Sequence, residues 1–316
     1  MDKTQVKLKI AYMINPDKVY YGTMDDEIID YLEKCNSEVT KVYINDLSFR
    51  LENKIRLQNK GEDLEIDAFI SYGYMSEFHL RAYEYIVFTL NQIGVITLHE
   101  YIAEKMMNDK FLQMTAYMKN NVPIPNTDLA FNLEAYKSIV MKSYKPNCVV
   151  KKMFEYGSDG VDIFKDPHNT LNKVSKSIWR GELSLLQEFI PDSIGTSIRV
   201  LIIGGKAIAC VRYVDKTGNL KSNQAYGEDN FKLENMMDSE KLKDYFSIAE
   251  KAAQSLSSEL TVGGIDILDS KKHGLVVLET NSFPDLYDTR ASSGIDVFQK
   301  FTESFCNKVR TKLNKL

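Results

Sequence analysis

The chain has 316 residues, 44% of them hydrophobic and 27% charged, with a formal net charge of −4. That length is too great for one small core and suffices for two or three packed units. The composition is ordinary for a soluble globular enzyme or binding protein, and the slight negative charge argues against a dedicated nucleic-acid binder.

No apolar run approaches the roughly 18 residues of a membrane span. Lys7 and Lys9 interrupt what a signal peptide would need as its apolar core. Cys35, Cys148, Cys210 and Cys306 are scattered without a CxxC pair, so neither zinc nor a disulfide framework is indicated. The expectation is a reduced, cytoplasmic protein without membrane or nucleic-acid partners.

Along the first hundred residues, strand-like and helix-like patterns alternate. VKLKIAYMI (6–14), EVTKVYI (38–44), IDAFISYG (66–73) and VITLH (95–99) read as strands. Residues 24–35 and 77–94 have helical spacing, the second ending at Gly94. Such alternation predicts a parallel α/β sheet. No GxGxxG follows the first strand, so a dinucleotide site of the usual kind is not supported. A single helix is expected through YIAEKMMNDKFLQMTAYMKNN, stopped by VPIPNT, where two prolines enforce an extended segment.

Residues 147–154 and 161–164 read as strands joined by EYGSDG. A helix near 168–180 leads to the apolar strand LSLLQEFI (183–190). SIRVLIIGGKAIACVRYV (197–214) predicts a hairpin turning at Gly204-Gly205. A helix over 239–260, a second hairpin over 263–281 and a C-terminal helix complete the α+β portion.

The last hairpin carries the first chemical signal. With its turn centred on Lys272 and His273, Asp266 opposes Glu279, and Asn281 follows on the same face. Two opposed carboxylates repel unless one is protonated or a cation lies between them. Oxygen ligands without sulfur or histidine suit a hard cation such as magnesium. A solvated hairpin with its acids outside is the alternative.

The glycines of EYGSDG free the backbone to cradle phosphate oxygens, with Lys151 in reach. On these residues alone an ordinary hairpin turn is the preferred reading. Lys151 and Lys152 face opposite ways, so one of them at most enters a site. Arg199 and Arg212 are embedded in apolar sequence and need an anionic partner, a protein carboxylate or a ligand phosphate. His79, His99, His168 and His273 lack metal spacing, which predicts surface or capping roles.

In order, DK (109–110), VPIPNT, VVKKMFEYGSDGV, LLQEFI, SIRVLIIGGKAIACVRY, GGIDIL and VLETNSFPDL resemble the ATP-grasp carboxylate–amine ligases, above all the RimK-type glutamate ligases and their LysX-like relatives. The resemblance spans residues 100 to 300. It implies an ATP-grasp fold behind an N-terminal parallel α/β domain, with units at 1–102, 103–190 and 191–316. It implies ATP-dependent amide formation through an acylphosphate, releasing ADP and phosphate, between a carboxylate substrate and an amine acceptor that is a small molecule, peptide or protein. A small-molecule kinase and a non-catalytic ATP-binding regulator are the alternatives, and a homo-oligomer is compatible with any of them.

Carried onto this chain, the resemblance assigns Lys110, Lys151, Gly157, Ser158 and Gly160 to the phosphates. It gives Gln187, Glu188, Phe189 and Ile190 to adenine, and Arg199 and Arg212 to charge stabilisation. Lys221 and Asn223 border the acyl acceptor. Asp266, Glu279 and Asn281 hold two Mg2+ ions, or Mn2+ in their place. Three positions depart from the family pattern: Ser197 where an acid is usual, Ala225-Tyr226-Gly227 where Arg-Gly-Gly is usual, and ISYGY where a strand end often bears arginine.

Overall fold

Strand β1 (Leu8–Ile14) is buried at every position but Lys9, the pattern of a strand covered on both faces. The computed structural model describes residues 7–14, 22–73, 77–143, 147–153, 160–216 and 231–315. After β1 come α1 (Gly22–Lys34), β2 (Ser37–Tyr43), β6 (Ala68–Ser71), α2 (Glu77–Gln92) and β7 (Ile96–Thr97). The four strands form a parallel sheet in the order β2-β1-β6-β7. Between β2 and β6 lies a small antiparallel sheet, β3 (Leu47–Leu51), β4 (Ile55–Asn59) and β5 (Glu62–Asp63). Sequence periodicity did not anticipate it, because its strands are short and largely exposed.

The expected single helix over 101–121 is two helices, α3 (Tyr101–Asn108) and α4 (Lys110–Lys119). Asp109 between them is extended, and its carboxylate accepts from the backbone of Phe111 and Leu112 at 2.9 and 3.0 Å. An aspartate in this position satisfies donors that a helix start leaves open. The dipeptide Asp109-Lys110 thereby ends one helix and places a lysine at the first position of the next.

A second antiparallel sheet has the order β10-β9-β11-β8, from β8 (Thr127–Asp128), β9 (Cys148–Lys152), β10 (Val161–Phe164) and β11 (Ser184–Glu188). Its core is shared with α5 (Leu133–Ser143) and α6 (Pro167–Trp179). The fourth sheet has the order β14-β13-β12-β15-β16. Its members are β12 (Thr196–Ile203), β13 (Lys206–Asp215), β14 (Phe231–Asn235), β15 (Val262–Ser270) and β16 (Gly274–Asn281). The β12–β13 turn falls at Gly204-Gly205, as expected, and both have positive φ, which favours glycine there.

Ile198, Val200, Ile202, Cys210, Ile265 and Ile267 pack beneath α7 (Leu242–Leu256). Leu201 and Ala209 on the other face join the largest core, together with Leu8, Ile10 and Phe69 of the parallel sheet. α9 (Val297–Leu313) contributes Phe298, Phe301 and Phe305 to that same core, and α8 (Leu286–Ser293) contributes Leu286. The largest core therefore crosses the expected boundary at residues 102 and 103. No helix among the described residues is long and apolar enough to cross a membrane.

Candidate active site

The site is built on the last hairpin, and its register differs from the simple expectation. Ser270 opposes Gly274 and Ile267 opposes Val277, so regular pairing would set Asp266 against Leu278. A bulge at Leu278 restores the expected partner, and Asp266 opposes Glu279. One extra residue reverses which face the rest of a strand presents. Without the bulge, Glu279 and Asn281 would point away from Asp266. The sequence reading had the right pair from a turn placed half a residue too late.

Around this pair the sheet assembles charge. Arg199 opposes Asp266 on the neighbouring strand, and its Nε and Nη2 donate to the two carboxylate oxygens at 2.7 and 2.8 Å. Asn281 Nδ2 donates to Asp266 Oδ2 at 3.0 Å. Lys110 Nζ lies 4.0 Å from Glu279 Oε2. Lys151 is buried at 7% exposure, whereas Lys152 is half-buried, so Lys151 is the lysine turned inward. Its charge acts on both Glu279 and Asp266.

The electrostatics follow from this geometry. Burial raises the Glu279 pKa, but the charges of Lys110, Lys151 and Arg199 outweigh it, and the net shift is downward. Asp266 is shifted upward, chiefly by burial with Glu279 adding to it, against the Arg199 ion pair. Burial, then Lys110, lowers Lys151, while Glu279 opposes that shift. Three cations thus surround two carboxylates in a largely desolvated site, an arrangement suited to a polyanion brought in with a metal ion.

The donor set fits such an ion. Two carboxylates and an amide oxygen are hard ligands appropriate to magnesium, and Arg199 holds Asp266 as an outer partner orients a ligating carboxylate. Among the described residues no cluster of three or more His, Cys, Asp or Glu side chains could hold a metal, and Asn281 brings an amide group beside the two carboxylates.

Several supports escaped the sequence reading. Gln113 clamps Thr280, the residue between Glu279 and Asn281: its Oε1 accepts from Thr280 N at 2.7 Å and its Nε2 donates to Thr280 O at 3.1 Å. Tyr117 and Thr280 share a hydroxyl contact of 2.5 Å. Lys110, Gln113 and Tyr117 recur at i, i+3 and i+7 along α4, so one helical stripe carries a cation of the site and anchors the strand bearing Glu279. That spacing was legible, but it was submerged in what read as one long helix.

Gly264 opposes Asn281, and a β-carbon there would meet Pro284 at 2.8 Å and the Arg199 stem at 3.3 Å. The Lys110 N–H approaches Met153 O at 3.5 Å, tying the start of α4 to the end of β9.

Other expected residues fall as follows. Gly160 closes the β9–β10 connection, its carbonyl accepting from Lys152 N at 2.8 Å. Gly157 and Ser158, like Lys221 and Asn223, lie outside the described residues. Gln187 is buried and its Nε2 donates to Thr127 Oγ1 at 2.9 Å. Glu188 accepts from Asn126 Nδ2 at 2.6 Å, and Phe189 and Ile190 follow it out of β11.

Two expectations need correction. Arg212 opposes Ile198, not Arg199, so it stands on the α7 side of the sheet, away from Asp266. There it faces Glu234 at 3.7 Å. Its anionic partner is a protein carboxylate, and it is not part of the charged cluster. The second concerns His99, which is 1% exposed rather than at the surface. Both of its ring nitrogens are buried. Burial, and then Lys308, push its pKa down to about 3.

The fold, with its buried acid pair beside two lysines, is that of the ATP-grasp ligases. The D-alanine–D-alanine ligase of Bacillus anthracis, solved with ATP, superposes with a TM-score of 0.74 at 15% identity, over 98% of this chain and all of that one. The ATP-grasp ligase PsnB, solved with a precursor variant, Mg and ADP, superposes with a TM-score of 0.63 at 14% identity, over 98% of this chain and 99% of that one. A family model for the RimK-like ATP-grasp domain matches residues 107–305. A relative named as a probable alpha-L-glutamate ligase, from Nitrosococcus oceani, is 29% identical over 286 residues, covering 87% of this chain and 86% of the relative. The chain belongs to the RimK-like ATP-grasp family and is an ATP-dependent carboxylate–amine ligase.

Proposed function

We propose that the chain joins an amino acid to a small molecule, peptide or protein through an acylphosphate, releasing ADP and phosphate. The observation that carries this reading is the juxtaposition of Asp266, Glu279 and Asn281 with Lys110, Lys151 and Arg199.

In this reading Asp266, Glu279 and Asn281 hold two magnesium ions, with manganese able to substitute. Bound there, the metal supplies charge neutralisation at the triphosphate oxygens. Lys110 and Lys151 bind phosphate oxygens, Lys151 as a desolvated point charge. Arg199 opposes the upward pull of burial on the Asp266 pKa and orients its carboxylate. Gln187, Glu188, Phe189 and Ile190 meet adenine. The unit over 103–190 closes on that over 191–316, and 1–102 contributes to the acceptor side. The substrate carboxylate attacks the γ-phosphoryl group, and ADP leaves. The acceptor amine then attacks the acyl carbon and displaces phosphate. Closure over the site excludes water, which would otherwise hydrolyse the acylphosphate. The name of the glutamate ligase relative supports an amino acid as one of the two substrates.

The test is ADP release with Mg·ATP and hydroxylamine across a panel of amino acids, peptides and other carboxylates. Hydroxylamine captures an acylphosphate as a hydroxamate without knowledge of the natural amine. Hydroxamate formed in step with ADP is the expected result. A stable phosphorylated product in its place would make the chain a kinase.

A further inference from the structure

Tyr213 lies beside the charged cluster and has no role in the scheme above. It opposes Ser197 on β12, two residues before Arg199, so its side chain emerges on the face that carries Arg199 and Asp266. The Arg199 guanidinium stands 5.2 Å from the centre of its ring. The residue is 7% exposed, and its Oη is buried with no hydrogen-bond partner among the described residues.

A buried hydroxyl left unpaired is costly, and such a group in a native site calls for an explanation. Packing alone does not provide one, since phenylalanine fills the same space without the cost. The surroundings fix the polarity of the group. Burial raises its pKa, Arg199 opposes, and Asp288, Asp285 and Asp266 add to the rise. The phenol therefore keeps its proton and acts as a donor. Among the described residues it has no acceptor oxygen, and the ligands of a carboxylate-activating site bring acceptors to the Asp266 face.

We propose that the Tyr213 hydroxyl is a ligand-binding donor of the active site, meeting an anionic oxygen of the substrate carboxylate or of the transferred phosphoryl group. The proposal rests on the assignment of Asp266, Glu279 and Asn281 to the metal–nucleotide site. Arg199, held on Asp266, forms one wall of the space, and the aromatic ring beneath it sets where the hydroxyl stands.

The experiment compares wild type with Tyr213→Phe. Melting temperatures of the free proteins come first: loss of an unpaired hydroxyl leaves stability unchanged or raised, which also shows that the variant folds. Affinities for Mg·AMPPNP and Mg·ADP follow, and then hydroxamate formation with varied ATP and varied acid. If the oxygen is phosphoryl, the variant loses roughly tenfold to a hundredfold of its affinity for the triphosphate analogue, with ADP unaffected. If it belongs to the substrate, kcat/KM for the acid falls by the same factor and the KM for ATP holds.

Unchanged nucleotide affinities together with an unchanged kcat/KM overturn the proposal. So does a melting temperature several degrees lower, which would mean that the hydroxyl already has a structural partner. Absence of hydroxamate from wild type with every acid would instead count against the ligation scheme, and the nucleotide comparison alone would then decide the role of Tyr213.

Discussion

Glu279 is the residue on which the cluster converges, drawing on Lys110, Lys151 and Arg199 at once. Glu279→Ala should lower ADP release more than a hundredfold while circular dichroism stays that of wild type, since the residue sits at a sheet edge and fills little core. Activity within a few-fold of wild type would remove it from the metal site. Lys151→Ala should act on binding, weakening ATP affinity roughly tenfold or more by loss of a desolvated charge-assisted contact. Isothermal titration with Mg·ADP checks this, and an unchanged affinity would transfer the role to Lys152. Gly264 tests packing where charge is not altered. A methyl group there collides with Pro284 and the Arg199 stem, so Gly264→Ala should impair turnover by displacing Arg199 from Asp266. A fully active Gly264→Ala enzyme would mean that the arginine's placement does not matter to the chemistry.

Among the elements, β16 shows how one irregularity sets a site. The bulge at Leu278 aligns Glu279 with Asp266, and Gln113 holds the next residue from the adjoining helix through both its N–H and its C=O. Both devices act on Thr280 and its neighbours, one from within the strand and one from α4. Gln113→Leu keeps the side-chain volume but leaves two buried backbone groups of Thr280 without that partner, a loss of roughly 2–4 kcal/mol at about 1–2 kcal/mol each. We expect a clear drop in melting temperature with a further loss of metal-dependent nucleotide binding. Destabilisation with normal binding would confine Gln113 to a structural role. Arg212 illustrates the opposite case. Neighbouring residues of β13 point to opposite sides of the sheet, and pairing with β12 sends Arg212 to Glu234 and Tyr213 to Arg199.

Across the whole molecule, the largest core joins the N-terminal parallel sheet to α9 and to the sheet that carries the acid pair. Polar groups are buried at this junction. Glu104 is fully buried, one oxygen accepting from Tyr83 at 3.3 Å. Burial raises its pKa from 4.5 to about 8. The folded state holds a proton that the unfolded chain releases above pH 4.5. Stability from this group is therefore full below about pH 4.5 and declines as pH rises towards 8. Glu104→Gln, neutral at every pH, should remove that slope, so its melting temperature should gain on wild type between pH 5 and pH 8. Parallel curves for the two proteins would show that Glu104 is ionised in the fold.

Read alone, the sequence determined the order of parts: a parallel α/β unit, a lysine-bearing glycine connection, an arginine-bearing hairpin and a final acid pair. Each of these rests on local signals, strand parity, helical spacing and turn residues, which a chain carries within a few residues. It also determined that Lys151 and Lys152 face apart. Tertiary structure decided the rest. The break at Asp109, the bulge at Leu278, the clamp by Gln113, the burial of His99 and the exchange of Arg212 for Tyr213 beside Arg199 all depend on which distant segments lie alongside. Parity says that adjacent side chains oppose one another, but only pairing across the sheet, fixed by packing on α7 beneath and the main core above, says which of them looks into the site.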